Sequence, residues 1–187
     1  MSWVNKLVNN YILSGYLISH LSFIIFLYLF YKLVRLDYSS HIAISAIIFY
    51  LVFPTSFFFA ALYTESFFMA LIIGAFLAAR KKHWLLAGLL GAIASATRLV
   101  GILLLPALLI ELWQQYKTKT PIKSFLSVSL TAYGLLLYMR YLAHNFSDAL
   151  YFLHAQPVFG AQRSADKLIL LYQVFWRYTK MIFTVEP

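Results

Sequence analysis

Apolar runs long enough to cross a bilayer constrain this chain more than any other feature. From Tyr11 to Val34 no charged residue precedes Lys32, and Lys32 and Arg35 close the run. A hydrocarbon core of about 30 Å needs about 20 such residues in helical form. Backbone N–H and C=O groups meet no water there, so only helices or a closed barrel satisfy them. A barrel would show short alternating segments bounded by turn residues, and this sequence shows none. Hydrophobic residues make up 63% and charged residues 11%, against roughly a half and a quarter in soluble domains. The expected class is all-α: a polytopic transmembrane helical protein, with residues 1–187 as a single membrane domain.

The net charge of +9 does not point to nucleic acid. Most Lys and Arg sit in short loops between apolar runs, as the positive-inside rule requires. No glycine-rich phosphate loop or basic-aromatic motif accompanies them. The absence of Cys excludes disulfides, thiol catalysis and Cys-based metal sites. The histidines lack the His-Glu-x-x-His spacing of helical metal ligands. Neither a metal nor a cofactor is expected. The first apolar run is too long for a signal-peptide core and lacks a small-residue cleavage site.

Expected spans cover about 11–34, 41–62, 63–79, 84–97, 100–113 and 123–143. Asp37-Tyr38-Ser39-Ser40 makes a polar turn with a Ser available as N-cap. Only about 13 residues, or about 20 Å of helix, run from His41 to Pro54, so this helix kinks or ends at the proline. The third helix passes Glu65 and stops at Arg80-Lys81-Lys82. Trp84 to Trp113 reads best as a hairpin broken around Thr97–Gly101, with legs of about 14 residues, or about 21 Å. That arrangement puts the basic residues of both flanking loops on one side and both Trp residues at one interface. Gly88, Gly91, Ala92, Ala94, Ser95 and Ala96 in the first leg allow close helix contact.

Sidedness follows from charge. Lys32/Arg35, Arg80–Lys82 and Lys117–Lys123 then face the cytoplasm, and the N-terminus lies outside. Asn145 to Lys167 is amphipathic, broken by Pro157 and Gly160, and too polar to span. With the aromatic run Leu168 to Phe183 it makes an interfacial, exoplasmic segment over 145–183. No inverted repeat of the transporter kind is visible.

Two charges fall inside the apolar runs. Glu65 lies 14 residues before the basic loop, about 21 Å up the helix. A carboxylate at that depth is costly unless paired and marks a functional position, or else a buried pair with Arg98. Arg98, at the hairpin tip, suits an anionic group, because a guanidinium binds phosphate bidentately. It could equally snorkel and cap the hairpin. His154, Gln156 and Asp148 form a polar cluster outside the spans, which a wet amphipathic surface also explains. Arg163 could touch a lipid headgroup or a substrate phosphate.

The runs FPTSFFFAALYTESFF (53–68), LLAGLLGAIASATRLVGILLLP (85–106) and SDALYFLHAQ (147–156) resemble the PIG-V-type mannosyltransferases. That family comprises the GPI mannosyltransferase II enzymes and their bacterial and archaeal relatives. The order and spacing of the three pieces match, and the likeness covers the chain from about residue 11. It implies a partial GT-C-type fold with a short helical hairpin and an inverting glycosyltransferase. A mannosyl or related hexosyl group would pass from a polyprenyl-phosphate donor to a glycan or lipid acceptor on the exoplasmic side. The setting would be a bacterial or archaeal plasma membrane, or the ER in a eukaryote. By the same resemblance Tyr63 and Glu65 fall on the family's Tyr-x-Glu site, Arg98 on its hairpin Arg, and His154-Ala155-Gln156 on its outer-loop motif. It also implies a preceding helix with an acidic loop that supplies the main base, and further C-terminal spans, all outside this sequence. Glu65 would then serve as catalytic base only if that loop acid is missing. A transporter or lipid-carrier flippase, with Pro54 and the Thr97 break as discontinuous helices, is the alternative of another class. A non-catalytic membrane subunit is a third.

Overall fold

The computed structural model describes residues 6, 8–117, 121–155 and 171–184. All regular elements among them are helical. They fall into two compact units, Met1–Tyr138 and Met139–Pro187.

The first unit opens with α1 (Tyr11–Val34). Asn10 caps it, its side chain accepting from the N–H groups of Ile12 and Leu13. Ser39 caps α2 (Ser40–Val52) in the same way, satisfying a donor that a helix start leaves orphaned. α2 does not continue to residue 62. Phe53 turns extended because the residue before proline avoids the helical region. A 3₁₀ turn (Pro54–Ser56) and one helical turn (Phe57–Ala60) follow, bent 77° from α2. The segment expected as one span over 41–62 is therefore two pieces broken at the proline.

α3 (Glu65–Arg80), α4 (Trp84–Thr97) and α5 (Leu104–Tyr116) come next, with a 3₁₀ turn at Leu99–Leu103. α3 starts at Glu65, so Tyr63 lies in the irregular link before it. α4 and α5 form the hairpin. Their far ends meet where the Trp84 indole N–H donates to the Tyr116 hydroxyl at 3.3 Å. At the turn, Gly101 packs against the Ala94 carbonyl, where a Cβ would collide with backbone. The legs are unequal, however: with its 3₁₀ turn the second runs over Leu99–Tyr116, 18 residues. The tighter turn lengthens the leg, since 3₁₀ backbone rises about 2.0 Å per residue.

α6 (Ile122–Phe146) crosses α4 at close range. Gly88 faces the Ser127 carbonyl, Gly91 faces Thr131, and Gly134 faces the Ala92 carbonyl. Ser95 donates its hydroxyl to the Thr131 carbonyl. The small residues of the first leg are thus spent on this crossing. The core of the unit joins Ala75, Ala79, Trp84, Ala87, Leu108, Leu112 and Val128.

Charges collect at one end. Arg80 binds Asp37 at 2.6 Å and Glu111 at 3.5 Å, and Gln115 donates to both Glu111 and the Ala79 carbonyl. Lys82, His83 and Lys123 border a common cleft there. Elsewhere large apolar side chains point outward, Phe49 at 77% exposure among them. Among the described residues, three helical stretches are long and apolar enough to cross a membrane: Tyr11–Val34, Leu99–Tyr116 and Ile122–Phe146. The bent pair makes a fourth if counted as one span.

In the second unit the end of α6 leads to Ser147, whose positive φ of 57° stops the helix. One helical turn, Tyr151–His154, follows. Phe146 and Tyr151 stack with ring centroids 4.6 Å apart. The aromatic run forms α7 (Leu171–Thr184), with Tyr172, Phe175, Trp176 and Tyr178 exposed.

Candidate functional site

The site is built where two helices end side by side. Glu65 lies in the first turn of α3, and Arg98 is the residue that terminates α4. A helix carries partial positive charge at its start and partial negative charge at its finish. Each side chain therefore complements its own helix, and the two complement each other.

Irregular backbone brings α3 to that level. After the single turn Phe57–Ala60, residues 61–64 leave helical geometry, so carbonyls in this stretch need other donors. Ser19 of α1 donates to the Ala61 carbonyl at 2.8 Å and to that of Phe59 at 3.3 Å. Ser66 of α3 also donates to the Phe59 carbonyl. Both serines are buried. On the other side of the site, the Thr97 hydroxyl bonds back to the Ile93 and Ala94 carbonyls. Arg98 itself takes an extended backbone, which ends α4 and turns its side chain toward α3.

Arg98 Nη1 donates to Glu65 Oε1 at 2.8 Å. The guanidinium carbon lies 5.6 Å from the centre of the Phe68 ring, within cation–π range. Phe68 is one turn beyond Glu65 on the same helix face. The pair is not fully buried: the Arg98 side chain is 39% exposed and that of Glu65 28%. Nη2 and Nε of Arg98 have no protein partner among the described residues. Glu65 Oε2 is buried and likewise lacks a hydrogen bond. The site thus holds a tethered guanidinium with unused donors beside a carboxylate with an unused acceptor. The arginine's unused donors can take a phosphate.

Tyr63 is exposed and packs edge-on against Phe58 at 5.6 Å. It stands two residues from Glu65 and makes no contact with the ion pair. In the second unit, His154 Nδ1 pairs with Asp148 Oδ2 at 2.7 Å. Asp148 also accepts from the Leu150 N–H. The His154 bond first, and the Leu150 bond second, hold the Asp148 carboxyl below its ordinary range. Gln156 and Arg163 lie outside the described residues.

Sequence reasoning missed Ser19, Ser66 and Phe68. The only available signal was for Phe68, an aromatic three residues beyond an acid on a helix. Nothing local marks Ser19, whose partners are 40 and 42 residues away. No protein-family model, curated protein or solved structure matches this chain.

Proposed function

We propose that this is a multi-pass membrane protein that transfers a mannosyl or related hexosyl group from a polyprenyl-phosphate donor to an exoplasmic acceptor. The reading is supported chiefly by Arg98. It is held by one nitrogen to Glu65 and backed by Phe68, with Nη2 and Nε left to fork onto a phosphate. In inverting transfer a carboxylate base takes the acceptor hydroxyl's proton as that oxygen attacks the anomeric carbon and the bond to the phosphate oxygen breaks. The departing lipid phosphate gains negative charge, which preorganised cationic donors stabilise. Arg98 takes that contact. Glu65 acts as a positioning residue for the guanidinium.

The test is transfer of label from radiolabelled polyprenyl-phosphate mannose in membranes bearing the chain. Removing one such donor typically lowers turnover about 10²–10³-fold, and Arg98→Ala should do so with protein abundance unchanged. Glu65→Gln should reduce transfer as well. Full transfer by both variants would refute the assignment.

A second reading, a lipid-carrier flippase, draws on the 77° break at Pro54 and the break at Arg98, since discontinuous helices frame many transport sites. Movement of labelled carrier across liposomes without sugar transfer would favour it.

A further inference from the structure

A second feature runs along α3 from Phe67 and opens at the end opposite the ion pair. A groove of about 430 Å³ runs between α1, α3 and α4, within the roughly 300–1,000 Å³ of small-molecule sites. Its walls are mostly aliphatic, with Ile25, Leu29, Leu71, Leu77, Leu86 and Leu90 among them. Lys81 and His83 stand at its mouth.

The neighbouring charges explain why that mouth remains cationic. Arg80 is neutralised by Asp37 and Glu111. Lys82 lies over the Tyr116 ring, 5.9 Å from its centre. The remaining acid of this unit, Glu65, is bound to Arg98 at the other end of α3. Lys81 and His83 make no ion pair among the described residues. An apolar trough that ends at the Lys81 ammonium, with the His83 imidazole beside it as a hydrogen-bonding group, complements a molecule with a hydrocarbon tail and an anionic head. Basic pockets between helices on the cytoplasmic side take anionic lipid headgroups in this way. A free phosphate ion would leave the apolar walls unused, and a neutral lipid would leave the Lys81 charge unused.

We infer that this groove binds one anionic membrane phospholipid, its phosphate at Lys81 and His83 and an acyl chain along α3. The inference rests on the membrane placement proposed above but not on glycosyl transfer. Residues 65 and 80 are 15 apart on α3, about 22 Å along its axis, so this phosphate is not the one assigned to Arg98.

The test begins with carbonate extraction of membranes bearing the full chain. Release of the chain would overturn the membrane placement, and the lipid site with it. The retained protein is then solubilised in detergent and given equal amounts of a phosphatidylglycerol and a phosphatidylcholine with the same acyl chains. Native mass spectrometry reads the bound lipid. The wild-type chain should retain the anionic lipid at least five-fold over the neutral one. A juxtamembrane cation contributes about five-fold, so Lys81→Gln with His83→Gln should abolish the preference. Lys117→Gln, at the end of α5, which does not line the groove, should leave it intact. Ile25→Trp, at a position 43% exposed in the folded chain, should fill the trough and lower retention of both lipids. Equal retention by the wild type, a preference that survives the double variant, or the same loss in Lys117→Gln would overturn the site. Displacement of the lipid by inorganic phosphate alone, or by polyprenyl phosphate in an Arg98-dependent manner, would do so too.

Discussion

Arg98 and Glu65, 33 residues apart in sequence, meet at 2.8 Å where α4 ends and α3 begins. Each charge lies at the helix terminus whose dipole favours it, so the pair needs no further device to hold it. Both side chains keep solvent access, and exposed ion pairs contribute only about 0.2–1 kcal/mol. A double-mutant cycle with Arg98→Ala and Glu65→Gln, read by thermal unfolding in detergent, should give a coupling within that range. Coupling of several kcal/mol would mean that the pair holds the fold together rather than presenting a ligand.

The Phe59 carbonyl accepts from two buried hydroxyls, Ser19 and Ser66. Ser19→Ala or Ser66→Ala alone should cost about 1 kcal/mol, the usual net value of such a bond. The double variant should lose more than the sum, because the carbonyl is then left without a donor away from water. Additive losses in chemical denaturation would show that another donor reaches it.

The crossing of α4 and α6 leaves no room for a methyl group at Gly88 or Gly134, whose nearest neighbours are backbone carbonyls. Gly88→Ala and Gly134→Ala should each destabilise by about 1–3 kcal/mol, the range for overpacking. Gly74→Ala is the control. Its added methyl meets only side-chain ends, Leu90 Cδ1 at 3.2 Å and Leu29 Cδ1 at 3.4 Å, and alanine favours the helix. Thermal melts should separate the two classes.

In the second unit, the His154 and Leu150 contacts depress the Asp148 carboxyl. A group lowered in the folded chain contributes above its unfolded value and stops contributing as pH falls through its folded one. The Asp148–His154 contact should therefore persist down through the ordinary carboxylate range and break only below it. Carboxyl ¹³C NMR of His154→Ala should show the Asp148 midpoint moved upward toward the ordinary value, with the Leu150 N–H retaining part of the shift. An unmoved midpoint would show that His154 is not the cause.

Much of the architecture was legible in local signals. The bounds of α1 follow from an apolar run closed by Lys32 and Arg35, and the Ser39 cap from a polar turn. The stop at Pro54 follows from proline's own geometry. Glu65 and Arg98 stood out because charge inside an apolar run is costly. Three things were not legible: the 77° bend, the unequal hairpin legs, and the serines beneath the Phe59–Ala61 backbone. Each depends on what lies across the fold rather than along the chain.

Helical class and several helix ends, such as those at Val34, before Pro54 and at Arg80, are written locally, because apolar length, caps, proline and isolated charge act over a few residues. Packing across the fold, by contrast, leaves two guanidinium nitrogens of Arg98 unpaired, and Lys81 and His83 without an acid, among the described residues. Which cation is neutralised depends on which carboxylate reaches it, and Asp37 reaches Arg80 across 43 positions of sequence. Local pattern carries no record of such a distance, because it is set by the packing of α1, α3 and α4.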